Sequence, residues 1–431
     1  MKVSVLTYGS RGDFQPHLAV AGELRERGHE VVMAVNKNNL AAVEGAGITP
    51  VKIPVDIRAF LASPAAQQFL YPNGILDIRG KLGFARKLAR LEAGRDSYVN
   101  EALITACEGA DIIVTGALVF ARAQSIVERS GQPLVGCIPY PIERSREFSS
   151  PHVWHRPLPT PLLRGASHLM FEQVYRRATH AGLRRLRRRL GLSDEVPNPF
   201  SRLRERETPM DLLVSPVIFP KPSDWPDRCT VGGTPKLAAA ERAAWGERTD
   251  PGLESWLSDA EPPILFSLGS IPVGDPEGYL SMITEVTGRS GARALVAAGY
   301  TDFPLGPRAD GRVLVTGPLD YDAILPRCRA AVHAGGPGTT HDVARAGIPS
   351  VATPVFGDQL LWGWRLAAAG IGVDIVYRKL TAQRLADALQ RIDDPGMRAR
   401  AAAAGERIAR EDGARHMCDI IERQAVARRA G

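Results

Sequence analysis

Short apolar runs alternate with helical patterns along the whole chain. Val3 to Tyr8 reads as a strand. A turn rich in glycine follows, and then apolar positions at helical spacing predict a helix from about Pro16 to Arg27, ended by Gly28. Further strand candidates are Val31 to Val35, Asp111 to Thr115, Pro133 to Ile138 and Leu212 to Ser215. Such β-α alternation predicts a parallel sheet covered by helices on both faces. The rhythm breaks between Ser215 and Pro226, where four prolines disfavour helix and predict an extended connection. A second alternating set then runs through Pro263 to Ser267, Ala294 to Ala298, Arg312 to Thr316, Ala330 to His333 and Ser350 to Val355. The expected architecture is α/β, with two Rossmann-like, doubly wound domains facing each other across a cleft. The first domain spans 1–215, a linker 216–240, the second domain 241–395, and terminal helices 396–431 are expected to cross back toward the first domain. Ligands of such sheets bind beyond the carboxyl ends of the strands, which here face the cleft.

Composition agrees with this organisation. A length of 431 residues suits two domains, and 44% hydrophobic with 23% charged residues are globular proportions. The chain has no apolar run long enough for a membrane span, and its opening goes straight into a strand, so no signal peptide is expected. The cysteines Cys107, Cys137, Cys229, Cys328 and Cys418 are scattered with no CxxC pair, which argues against a zinc site or a disulfide framework. A reducing cytoplasm is the expected compartment. The net charge of +7 comes mainly from arginine and is not gathered into a tail, and no nucleic-acid partner is expected. Its densest cluster, Arg176, Arg177, Arg184, Arg185, Arg187, Arg188 and Arg189, alternates with Leu183, Leu186 and Leu190 as an amphipathic helix would. Such a face is ordinarily just solvated, and the alternative is a peripheral contact of Arg184–Arg189 with anionic lipid.

The most informative stretch is Val332-His333-Ala334-Gly335-Gly336-Pro337-Gly338-Thr339-Thr340, between a strand and a helix expected over Thr339 to Ala346. Its glycines let a ligand approach the backbone, and the helix N-terminus offers unpaired N–H groups to a pyrophosphate. His333, at the strand's end, is placed to donate to a phosphate oxygen. A second strand-to-helix turn, Pro354-Val355-Phe356-Gly357-Asp358-Gln359, carries an acid and an amide suited to sugar hydroxyls. Helix capping is the ordinary task of an aspartate at such a place. A third turn, Ser267-Leu268-Gly269-Ser270, offers the Ser270 hydroxyl.

In this order, from Gly317 through His333 and Gly335-Gly336-Pro337-Gly338-Thr339 to Phe356-Gly357-Asp358-Gln359, the segments resemble the nucleotide-sugar signature of family-one glycosyltransferases of the GT-B fold. The opening Tyr8-Gly9-Ser10-Arg11-Gly12-Asp13-Phe14-Gln15-Pro16 and the linker ending at Trp225-Pro226 are similar to the bacterial antibiotic, macrolide and sterol branch. The resemblance implies an inverting transfer of a hexose from a UDP- or TDP-sugar to a hydroxyl of a lipophilic acceptor, with no cofactor and no metal. It implies a catalytic base at Asp13, a slot held by histidine in many plant and animal members. A carboxylate is a weak base at its ordinary pKa and gains strength from an apolar surrounding; an aspartate there also suits a helix cap. Donor contacts are implied at Ser10, Arg11, Gly12, Ser270, Pro318, Leu319, His333, Gly335, Gly336, Gly338, Thr339, Asp358 and Gln359. Phe148, Trp154 and Phe171 are candidates for the acceptor wall, in the weakly matched stretches around 55–100 and 140–200 where the family builds its acceptor pocket.

This chain departs from the family's pattern at four places. Gly116 replaces a second acid, Pro318 replaces the tryptophan that faces the base, Ala334 replaces a second histidine, and Pro337 replaces a small residue. His152 and His155 are spaced as metal ligands but have no carboxylate or cysteine close in sequence, so no metal site is expected. Gly9-Ser10-Arg11-Gly12 lacks the GxGxxG spacing of redox Rossmann enzymes. Two alternatives share the fold: a nucleotide-sugar epimerase, opposed by the Gly9–Pro16 opening, and a non-catalytic auxiliary protein, opposed by the intact Asp13, His333, Asp358 and Gln359.

Overall fold

The computed structural model describes residues 1–71, 94–154, 156–245, 251–258, 261–309 and 311–429. Strands β1 (Lys2–Leu6), β2 (Glu30–Asn36), β3 (Thr49–Ile53), β4 (Ile112–Thr115), β5 (Leu134–Ile138), β6 (Met210–Leu212) and β7 (Cys229–Val231) form one sheet in the order β3-β2-β1-β4-β5-β6-β7, all parallel. Strands β8 (Ile264–Ser267), β9 (Ala294–Ala297), β10 (Gly306–Arg308), β11 (Val313–Thr316), β12 (Ala330–His333), β13 (Ser350–Ala352) and β14 (Gly372–Asp374) form a second, ordered β10-β11-β9-β8-β12-β13-β14. Only the β10–β11 pairing is antiparallel. In each sheet the first strand lies inside and the winding reverses beside it, between β1 and β4 and between β8 and β12. Crevices at such reversals are where doubly wound sheets bind ligands.

The interior strands are apolar on both faces, as parallel strands between two helical layers must be. Val3 and Val5 of β1 pack with Leu18 and Leu24 of the Arg11–Glu26 helix, while Leu6 joins the cluster around Leu103 on the other face. All three are fully buried, each worth about 1.5–3 kcal/mol of removed apolar surface.

Several elements differ from expectation. The first helix begins at Arg11, five residues before Pro16, because Ser10 and Asp13 form a capping box: Ser10 N donates to Asp13 Oδ2 at 2.9 Å. Pro16 sits inside the helix, where its missing N–H leaves the Gly12 carbonyl without its helical partner. The helix after the glycine turn begins at Pro337, a residue well suited to the first helical position. The stretch expected as linker contains β7, which extends the first sheet past Met210–Leu212. Beyond it, Arg365 of the second domain donates to the Ile218 carbonyl at 2.7 Å and covers the Phe219 ring.

The chain ends on the first domain. Met417, Ile420 and Ile421 of the Gly413–Arg429 helix complete the core around Val20 and Leu24. Arg27 bridges to Asp419 at 2.7 Å and Glu422 at 3.0 Å. No helix of the described residues is long and apolar enough to cross a membrane. All five cysteines are buried free thiols.

Candidate active site

Four loops flank the two reversal points. They follow β1 (toward Ser10), β4 (at Gly116), β8 (Leu268–Ser270) and β12 (Ala334–Gly336). The N-terminal ends of two helices, Arg11–Glu26 from the first domain and Pro337–Arg345 from the second, meet across the cleft: a Cβ placed on Gly12 would lie 3.8 Å from Pro337 Cγ. Two positive dipole ends brought together favour an anion between them.

The glycines divide into two kinds. Gly335 has φ of +79°, and a Cβ there would stand 3.0 Å from the Gln359 carbonyl oxygen, so the fold itself requires glycine. Gly336 has φ of −63°, which any L-residue adopts, and Gly338 lies in the first turn of the helix. A Cβ at Gly336, Gly338 or Gly317 would meet no atom within 4 Å. Among the described residues nothing demands glycine at these three places, and the open space beside them accommodates a ligand against the backbone.

His333 is fully buried at the end of β12, and desolvation lowers its pKa to about 4, so its ring is neutral. Nδ1 accepts from Gly335 N at 3.1 Å, which puts the proton on Nε2. The Nδ1 bond fixes the backbone of the turn, and Nε2 is buried with no partner among the described residues, which leaves its N–H as the group able to donate to a phosphate oxygen.

Asp358 does not cap the helix it precedes; its Oδ2 accepts from Trp362 Nε1 at 2.9 Å. Gln359 Oε1 accepts from Val355 N at 2.9 Å and Phe356 N at 3.3 Å, so the amide oxygen ties the turn and the amide nitrogen is left to donate. Asp13 does serve as a cap, but through Oδ2 alone, on which the Ser10 N–H and hydroxyl converge. Burial and the negative field of Asp358 push its pKa up to about 7, and burial pushes that of Asp358 up to about 6. The two carboxylates, 345 positions apart in sequence, thus lie near enough for the charge of Asp358 to raise the proton affinity of Asp13.

Arg11 is held by Gln15, Nε to Oε1 at 2.8 Å, and its guanidinium lies over the rings of Trp245 and Tyr321. Tyr321 in turn donates to Ser267 Oγ at 2.7 Å. Ser270 and Thr339 are partly buried and Pro318 is exposed at the cleft rim, whereas the Leu319 side chain is core and leaves only backbone to a ligand.

Sequence reasoning missed Tyr140. It follows β5 at the carboxyl edge of the first sheet, and burial and the charges of Asp13 and Asp358 raise its phenol well above the ordinary value. Its position after an interior strand was the available signal. Its ring meets His152 edge-on at 5.0 Å, and His152 stacks on Phe171 at 4.5 Å. Phe171 therefore lies in an aromatic cluster linked to the cleft. Phe148 is corrected to core: it is buried among His168, Phe219 and Trp225. Trp154 is half exposed. Among the described residues no cluster of three or more His, Cys, Asp or Glu is arranged to hold a metal, and His155 lies outside them, as does much of the 55–100 stretch. The part of that stretch which is described bridges the domains: Tyr71 donates to the Pro272 carbonyl at 2.9 Å and Arg58 pairs with Asp302 at 3.1 Å.

Two doubly wound sheets with a glycine-lined turn between them are the architecture of GT-B glycosyltransferases, and known proteins agree. Residues 3–126 match the glycosyltransferase family 28 N-terminal domain, and residues 310–421 match the erythromycin biosynthesis protein CIII-like C-terminal domain. The chain is 31% identical over 439 residues to O-mycaminosyltylonolide 6-deoxyallosyltransferase of Streptomyces fradiae, covering 99% of this chain and 98% of that one. Its fold matches the glycotransferase of kitacinnamycin (TM-score 0.67, 20% identity, 98% and 99% of the two chains) and glycosyltransferase VinC in complex with dTDP (0.65, 18%, 99% and 100%). The chain belongs to the family-one glycosyltransferases of GT-B fold, in the antibiotic branch, and is a glycosyltransferase.

Trp362→Phe isolates the indole bond to Asp358, since a phenyl ring refills most of the buried slot. The expected result is a loss of about 10-fold or more in kcat/KM, the scale of one hydrogen bond to a charged group. That bond lowers the Asp358 pKa, so the variant's pH–rate profile should also move toward higher pH. An unchanged profile would show that the bond is not felt at the reacting centre.

Proposed function

We propose that this enzyme moves a hexose from a UDP- or TDP-sugar to a hydroxyl of a lipophilic small molecule with inversion and without a metal ion. The observation that carries this reading is the meeting of the Asp13 helix end with the glycine turn at Pro337, with the charge of Asp358 felt at Asp13. The N–H groups of Gly336, Gly338 and Thr339 and the Ser270 hydroxyl hold the diphosphate and stabilise its charge as it leaves, and His333 keeps the turn in shape. Ser10, Arg11 and Gly12 approach the diphosphate from the first domain, and the backbone at Pro318 and Leu319 meets the base. Asp358 and the Gln359 amide orient the sugar hydroxyls. Asp13 takes the acceptor's proton through Oδ1 as the oxygen attacks the anomeric carbon. Tyr140, His152 and Phe171 line the acceptor side.

A related fold has been solved with dTDP, and the antibiotic-branch relative transfers a deoxysugar by its name; both support a diphosphate-sugar donor. Thermal shift with UDP, TDP and GDP is the first test: one of the first two should raise Tm by several degrees through binding linkage, and a flat response to all three would remove the donor assignment. Product formed with that donor should carry the opposite anomeric configuration, read from its proton coupling. The rate should be unchanged by EDTA.

A further inference from the structure

Arg184 to Arg189 of the arginine cluster already have carboxylate partners. Arg184 and Arg188 pair with Asp194, Arg185 with Asp96, Arg187 with Glu128 and Arg189 with Glu101. The first half of the same Pro161–Arg189 helix is different. Leu162, Leu163, Leu169, Met170 and Val174 are exposed, at 79%, 46%, 46%, 52% and 57%. They share one face: Leu162, Leu169 and Arg176 recur every seventh residue, as do Leu163, Met170 and Arg177. His168 and Glu172, on the other side of the helix, are buried against the domain. The apolar stripe, about 18 Å long at helical rise, is followed by two arginines that meet no carboxylate among the described residues.

We propose that this face docks on an anionic lipid surface, with the helix lying in the interface plane. Charge selects that occupant. Of the nine arginines from Pro151 to Leu190, six pair with carboxylates from outside that stretch, whereas Arg164, Arg176 and Arg177 meet none among the described residues, and the one acid of the stretch, Glu172, is buried and paired with Arg144 and Arg204. A second copy would bring another arginine-rich, acid-poor surface against this one. A bilayer with negative headgroups offers apolar depth for the leucines and methionine and counter-charge for Arg176 and Arg177. Arg164, on the same helix, is bonded only to backbone carbonyls, so its charge adds to the field. The inference stands apart from the transfer reaction, because none of these side chains belongs to the cleft.

Flotation of the full chain with phosphatidylcholine vesicles, with and without phosphatidylglycerol, tests it. The wild-type protein is expected to float with the anionic vesicles only and to be released by high salt. Leu162→Ser with Met170→Ser should lower the bound fraction about tenfold or more, the scale of two side chains that no longer enter the interface. Arg176→Glu with Arg177→Glu should abolish the preference for phosphatidylglycerol. All these positions are exposed, so the variants should keep the wild-type circular dichroism and nucleoside-diphosphate thermal shift. The proposal fails if the wild type ignores both vesicles, if either variant binds as the wild type does, or if the Leu162/Met170 variant instead dissolves a dimer seen by sedimentation. Loss of the diphosphate shift in wild type would count against the transferase reading and leave the lipid result standing.

Discussion

Asp13→Asn is expected to lower kcat for transfer by about 10²–10⁴, the range that a positioned general base supplies, while nucleoside-diphosphate affinity stays within about threefold. The amide is close to isosteric and still accepts from Ser10 N, so the helix cap survives and the loss is chemical. The base must be deprotonated to act, and its pKa is pushed up to about 7. Wild-type kcat/KM should therefore rise with pH through about 7, and the variant's residual rate should lack that limb. Stability moves the other way. The folded pKa exceeds the ordinary value of 3.8, so the folded state holds the proton more tightly than the unfolded chain. That contribution is complete below the unfolded value and is lost as pH rises through about 7. At pH 8 the buried charge opposes folding, and Asp13→Asn should raise Tm there by about 2–4 °C, the shift that about 1 kcal/mol produces in domains of this size. At pH 4 the gain should shrink toward zero. Normal turnover by the variant, or equal Tm gains at both pH values, would show that Asp13 is a cap and nothing more.

Gly336→Val and Gly338→Ala should separate what the fold needs from what a ligand needs. Both positions have backbone angles open to L-residues and no atom within 4 Å of the added carbon. Tm should therefore change by no more than about 2–4 °C, the cost of a weaker helix cap at Gly336, and Gly338→Ala should be neutral or slightly stabilising. Diphosphate affinity should fall by about 100-fold or more, equivalent to about 2.7 kcal/mol, because the new carbon holds the phosphate away from the N–H groups of Gly336, Gly338 and Thr339. Gly335→Ala is the contrasting control: its φ of +79° and the nearby Gln359 carbonyl predict a marked loss of stability. Calorimetric titration with UDP or TDP beside a thermal melt reads both quantities. Undiminished affinity in the first two variants would place the phosphates elsewhere.

The strands that sequence reasoning missed were β3, β7, β10 and β14, the four edges of the two sheets. An interior parallel strand declares itself because both faces are buried and its residues form a nearly continuous apolar run, as in Ile112-Ile113-Val114 of β4 and Ala330-Ala331-Val332 of β12. An edge strand is short, half exposed and compatible with proline, as Thr49-Pro50-Val51-Lys52-Ile53 is, and what makes it a strand is the neighbour it pairs with.

The candidate site divides in the same way. Its glycines, His333, Asp358, Gln359 and Asp13 were legible, since each depends on the turn that joins a strand to the helix after it. Tyr140, the closing of the His333 ring onto Gly335, and the neutralisation of Arg184–Arg189 by distant carboxylates were not.

By itself, the sequence determined two doubly wound halves and the loops where backbone N–H groups gather, because strand burial and turn chemistry act over a few residues. Only the tertiary structure decided how strongly Asp13 holds its proton, which aromatics reach the cleft and which arginines keep an uncompensated charge. Those properties arise from desolvation and from charges brought together out of separate parts of the chain, and no local pattern encodes them.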